Sequence, residues 1–120
     1  MQRQFKPFLQ DMLTAARRLI ELAGDSTPQE LDQQQDVKEV IMWNFMVLGE
    51  ATRIVPQAIR DAYPRIAWRE AADMRNRVAH GYFSIDSEVL HHTIHNQLPA
   101  LIRDIEEMLA DPSLPDTVEV

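Results

Sequence analysis

The sequence predicts an all-α bundle of four or five helices, on three observations. Apolar residues recur at three- and four-residue spacing through most of the chain. No segment alternates with period two over a strand's length. Three glycines in 120 residues leave few tight hairpin turns.

The first helix is read from Phe5, Phe8, Leu9, Met12, Leu13, Ala16, Leu19, Ile20 and Ala23, one apolar stripe about five turns long. Gly24 sits where a helix-terminating glycine belongs. Ser26-Thr27-Pro28-Gln29-Glu30 reads as a restart: Thr27 caps, Pro28 fits the first helical position, and Glu30 completes a capping box. This second element is short and polar. The third runs from about Gln34 to Val55, with Val37, Val40, Ile41, Phe45, Leu48 and Val55 on one side. Met42, Met46 and Val47 widen that stripe, so two faces meet neighbours. Gly49 within it costs about 1 kcal/mol relative to alanine and signals the close approach of another backbone. Pro56 breaks this helix, and Tyr63-Pro64 ends its continuation.

Trp68 to Ala79 is helical again, with Ala71, Met74 and Val78 inward and Gly81 as the stop. A last helix from about Ser87 to Leu109 uses Leu90, Ile94, Leu98, Leu101, Ile105 and Met108, with Pro99 expected to kink it without ending it. Residues 1–110 therefore form one helical domain. Residues 111–120, with three acids and no base, are expected to be a frayed acidic tail.

No cysteine is present, which excludes disulfides, thiolate chemistry and Cys-ligated metals. No apolar run approaches the roughly 20 residues of a membrane span. The N-terminus lacks a signal peptide's apolar core, so a soluble, cytoplasmic protein is expected. The formal charge of −7 opposes phosphate binding only on average. Between Arg65 and Tyr82 the balance reverses, with Arg65, Arg69, Arg75 and Arg77 against Glu70 and Asp73.

No Gly-rich phosphate loop, His-Glu-x-x-His pair or Gly-x-Ser-x-Gly elbow occurs. Chemistry concentrates in Arg75-Asn76-Arg77-Val78-Ala79-His80-Gly81-Tyr82. Asn76 and His80 are four apart and share a helix face. Arg75 lies roughly 140° from His80 and reaches the same region through its length. His80 falls in the last turn, where the helix dipole attracts a cation. A guanidinium, an imidazole, an amide and a phenol thus meet at one helix end, a set that can cleave a phosphodiester without metal. One histidine is too few for separate acid and base roles; two facing copies supply two. A structural reading stays open beside it, with His80 and Asn76 capping carbonyls and Arg75 pairing with a neighbouring helix. His91 and His95 share a face but lack a third ligand, so no metal site is expected.

The motif resembles Arg-x4-His-x-Tyr of the HepT-like branch of the HEPN superfamily. Leu48-Gly49-Glu50-Ala51 is similar to that family's Gly-Glu-Ala stretch, and Tyr63-Pro64 with Trp68-Arg69 to its Tyr-Pro-x-x-x-Trp. Leu98-Pro99 resembles the Leu-Pro of its last helix, and Phe8-Leu9-x-Asp11 its first. The resemblance covers about residues 5–110, in order. It implies the toxin of a type VII HepT/MntA-like toxin–antitoxin pair, a cofactor-free, metal-independent endoribonuclease acting as a homodimer with both motifs in one cleft. By the same resemblance Arg75 stabilises the phosphate, His80 is the general acid/base, Asn76 orients, and Arg77 and Arg69 bind RNA. Tyr82 positions RNA and accepts AMP from a partner nucleotidyltransferase antitoxin. No DNA partner is implied. Two positions depart from the pattern: Trp43 stands near a frequent family arginine, and His91 near a frequent tryptophan. The rival implication is a non-catalytic module that docks the nucleotidyltransferase, and a third is an ordinary helical dimer.

Overall fold

The predicted stripes become helices in a computed structural model that describes residues 1–120. In chain order the elements are β1 (Gln2–Gln4), α1 (Lys6–Ala23), α2 (Pro28–Gln33), α3 (Gln35–Ile54), α4 (Gln57–Ala62), α5 (Trp68–Gly81), α6 (Ser87–Asn96), α7 (Leu98–Ala110) and β2 (Thr117–Glu119). The long helix α3 is central and packs against α1 on one side and α5 on the other, as its wide stripe requires. α6 and α7 close the bundle against α1. A single cluster of 28 buried apolar residues runs through all of these, so the chain has one core.

Local signals hold where the chemistry is local. The capping box forms in full: Glu30 N–H donates to Thr27 Oγ1 (3.1 Å), and Thr27 N–H to Glu30 Oε1 (3.0 Å). Gly24 takes φ +49°, and its N–H reaches Ile20 O at 3.0 Å. Buried Thr52 donates to Leu48 O (2.7 Å) and buried Asn44 to Val40 O (2.9 Å). Both of these side chains therefore bond their own helix one turn back.

Three expectations are corrected. Pro99 does not kink one last helix: Gln97, at φ −113° and ψ −39°, separates α6 from α7, and Pro99 lies in the first turn of α7, where its missing N–H costs nothing. Gly81 does not stop α5 with a left-handed turn. It stays helical, and the chain leaves through a turn closed by Ser84 N–H to Gly81 O at 2.9 Å. The tail does not fray either. Leu114 is buried, and β2 pairs antiparallel with β1 in the register Gln2↔Glu119, Arg3↔Val118, Gln4↔Thr117. Strands of three residues are too short to display a period-two pattern.

Two polar ties fix the periphery. The Ser87 hydroxyl donates to Asp32, which also binds Lys38 at 3.0 Å, joining α2 to the start of α6. The Ser87 bond and then the Lys38 contacts hold the Asp32 carboxyl below its ordinary value. Tyr63 donates to Asp111 Oδ2 at 2.7 Å, tying the α4–α5 loop to the end of α7. That bond, with the N–H and hydroxyl of Ser113, lowers the Asp111 carboxyl.

Candidate functional site

Helix α5 presents its buried face through Trp68, Ala71, Met74 and Val78. On the opposite face Arg69, Asp73, Asn76 and His80 recur at four, three and four residues, within an arc of about 60°. All four are exposed.

Arg75 lies off that arc and is placed by α3. A Cβ built on Gly49 would lie 2.1 Å from Arg75 Cβ and 2.9 Å from its Cγ, with Ala71 O at 3.3 Å. Only a glycine lets α3 and α5 approach this closely. The close approach predicted at Gly49 is therefore real, and what approaches is the stem of the motif arginine. At its head, Arg75 Nε lies 3.0 Å from Glu50 Oε1, an ion-pair contact off the N–H axis. Arg53 Nη1 reaches the same oxygen at 2.8 Å. Arg75 Nη1 donates to Asn76 Oδ1 at 3.3 Å, which turns the guanidinium toward the face of Asn76 and His80.

The structural reading thus applies to Arg75, which does pair with a neighbouring helix. It does not apply to the other two. Asn76 caps no carbonyl but accepts from Arg75, and the exposed His80 side chain is not spent on a helix-end carbonyl. Tyr82 is 43% exposed and Phe83 99%; their rings meet edge to face, with centroids 5.2 Å apart. This pair packs on itself and not into the core. Arg77 is exposed. Arg69 borders a polar groove of about 520 Å³ between α4 and α5, with Arg60, Asp61, Trp68 and Asp73. Arg65, by contrast, turns to α7, 3.5 Å from Asp104 and 3.7 Å from Glu107.

Spacing alone missed Glu50, whose partner is 25 residues on in sequence and across a helix interface. The available signal was the acid directly after a glycine that demands close approach. His91 and His95 stack with ring centroids 4.2 Å apart, and no group of three His, Cys, Asp or Glu side chains converges anywhere in the chain. Trp43, 66% exposed, borders an apolar groove of about 310 Å³ along α1 and α3, with Phe8, Met46 and Ile54. Glu50 lies on the rim of that groove. No helix is long and apolar enough to cross a membrane.

A family model described as "Ribonuclease HepT-like" matches residues 12–108. Among similar proteins, one from Methanocaldococcus jannaschii named "Putative RNase MJ0127" is 28% identical over 106 residues, covering 88% of each chain. Another from that organism, "Putative RNase MJ0125", is 29% identical over 91% of this chain and 94% of its own. A protein of Thermococcus cleftensis named "Probable ribonuclease HepT" is 27% identical over 90% of this chain and 98% of its own. No solved structure matches.

Proposed function

The chain belongs to the ribonuclease HepT-like family, and from that premise we propose that it is a metal-independent endoribonuclease whose site is Arg75, Asn76 and His80. The observation that carries the reading is the geometry of α5: an exposed imidazole and amide on one face, with a guanidinium turned to that face by Asn76. In this mechanism an imidazole of His80 takes the proton of a ribose 2′-hydroxyl. The 2′-oxygen attacks phosphorus, and the 5′-oxygen leaves with a proton from an imidazolium, giving a 2′,3′-cyclic phosphate and a 5′-hydroxyl. Arg75 offsets the charge that builds on the phosphorane oxygens. Arg77 and Arg69 contact the RNA backbone.

Separate acid and base require two histidines, so the active species is a homodimer with two motifs in one cleft. The exposed apolar groove of Trp43, which ends at Glu50 beside Arg75, suits the second copy. In the cell the enzyme is a cytoplasmic toxin. It is neutralised when a partner nucleotidyltransferase joins the AMP of ATP to the accessible Tyr82 hydroxyl, releasing pyrophosphate. The added phosphodiester places a bulky anion where substrate phosphate must lie beside Arg75 and His80.

The test is cleavage of RNA in EDTA by the wild type and His80→Ala. Wild-type cleavage with cyclic phosphate ends, absent in the variant at an unchanged melting temperature, is expected. Equal activity in both, or none in the folded, unmodified wild type, refutes the enzyme and favours the docking module.

A further inference from the structure

The polar groove between α4 and α5 contains Arg69, and its other arginine, Arg60, has no part in the chemistry above. Most of the chain's basic residues are held in ion pairs, among them Lys6, Arg17, Lys38, Arg53, Arg65 and Arg75. Arg60 and Arg69 are not, although the chain is strongly acidic. They line the same groove of about 520 Å³. Arg60 carries a buried Nε with no hydrogen-bond partner. Together with the exposed head of Arg69, that nitrogen gives the groove guanidinium donors that an anion can meet. Of the two acids in the groove, Asp61 accepts from Gln57 Nε2 at 2.7 Å, while Asp73 stands on the exposed arc.

Direction decides what kind of anion fits. Arg69 occupies the same arc of α5 as Asn76 and His80, eleven residues before His80, or about 16 Å along the axis. An extended single strand lying along that face with one phosphate at His80 brings a later phosphate to the groove.

We propose that the Arg60–Arg69 groove is a second phosphodiester subsite, holding the backbone of single-stranded RNA a few nucleotides from the bond cut at His80. The inference rests on the ribonuclease reading for its register. Asp73, between the two subsites, repels the strand and weakens binding. The groove therefore sets a minimum substrate length: a ribodinucleotide fills only the His80 end, and a longer oligoribonucleotide reaches both.

The experiment compares the wild type with Arg69→Gln, Arg60→Gln/Arg69→Gln and Asp73→Asn on a ribodinucleotide and a short single-stranded oligoribonucleotide. The arginine variants are expected to raise KM for the oligoribonucleotide about tenfold, the loss of a charge-assisted contact, and KM for the dinucleotide by a much smaller factor. Asp73→Asn is expected to lower the oligoribonucleotide KM. Fluorescence anisotropy in a His80→Ala background gives a second readout. There the salt slope of binding is expected to fall by about 0.7 on losing one phosphate contact. Equal loss on both substrates, or an unchanged KM and salt slope, overturns the subsite. A wild type that cleaves neither substrate refutes the ribonuclease reading, and the anisotropy arm still decides the groove. Arg69 is exposed, so its single variant keeps the test valid if the half-buried Arg60 proves necessary for folding.

Discussion

Gly49→Ala tests how the motif helix is placed. In an unconstrained helix interior this change stabilises by about 1 kcal/mol, because alanine loses less backbone freedom than glycine. Here the added Cβ meets Arg75 Cβ at 2.1 Å, where optimal carbon–carbon contact is about 3.5–4.0 Å. Both atoms are fixed to helix backbones, so no rotamer relieves the overlap. α3 and α5 must part, which puts the cost at the upper end of overpacking, about 3 kcal/mol. The net loss is about 2 kcal/mol, or roughly 8 °C in melting temperature for a domain of this size. Far-UV circular dichroism on heating, together with a urea titration, measures both quantities. Gly81→Ala is the control: it is also helical, but the nearest atom to its added Cβ is Ser84 Oγ at 3.8 Å, an ordinary contact. It is expected to be neutral or slightly stabilising. A Gly49→Ala protein that melts with the wild type or above it would refute the claim that close approach here sets the position of Arg75.

Three further outcomes are expected. Tyr82→Phe keeps RNA cleavage but escapes silencing by the partner nucleotidyltransferase and ATP; silencing of the variant, followed by mass spectrometry, would remove Tyr82 as the acceptor. The lowered carboxyls of Asp32 and Asp111 give stability that is present above their unfolded values and lost as pH falls through the folded ones. Urea midpoints should therefore drop in the acid range below about pH 4, and Asp32→Asn should flatten that part of the profile; an unaltered acid limb would show that Ser87 and Lys38 do not stabilise the charged form. Leu114→Ala, which empties a buried site, should cost about 2–3 kcal/mol. A silent substitution there would return residues 111–120 to the status of a frayed tail.

Much of the bundle was legible because burial leaves a periodic trace. α1, α3 and α5 follow from stripes, and the Thr27–Glu30 box and Gly24 from cap chemistry that acts within four residues. Pro99 was misread because a proline that kinks a helix and one that begins a helix look alike until the backbone at Gln97 is known. The tail was misread because its anchor is a ladder to residues more than a hundred positions away, and nothing local records it. The same rule divides the candidate site. Asn76 and His80 follow from spacing on one helix. The Glu50 contact of Arg75 and the pairing of Arg60 with Arg69 cross between elements, and charge type alone does not reveal which acid meets which base.

The pairing of β1 with β2, extended by Val120 N–H to Met1 O at 2.9 Å, makes the polypeptide almost a closed ring. A short linker could seal that ring without displacing a helix, and the sealed chain would have fewer conformations to lose on folding. New ends could then be opened at the Gly24–Ser26 turn, giving a permuted order of the same helices around the same core. Any segment appended at one end of the present chain would emerge beside the other, so two different attachments would share a single pole of the molecule.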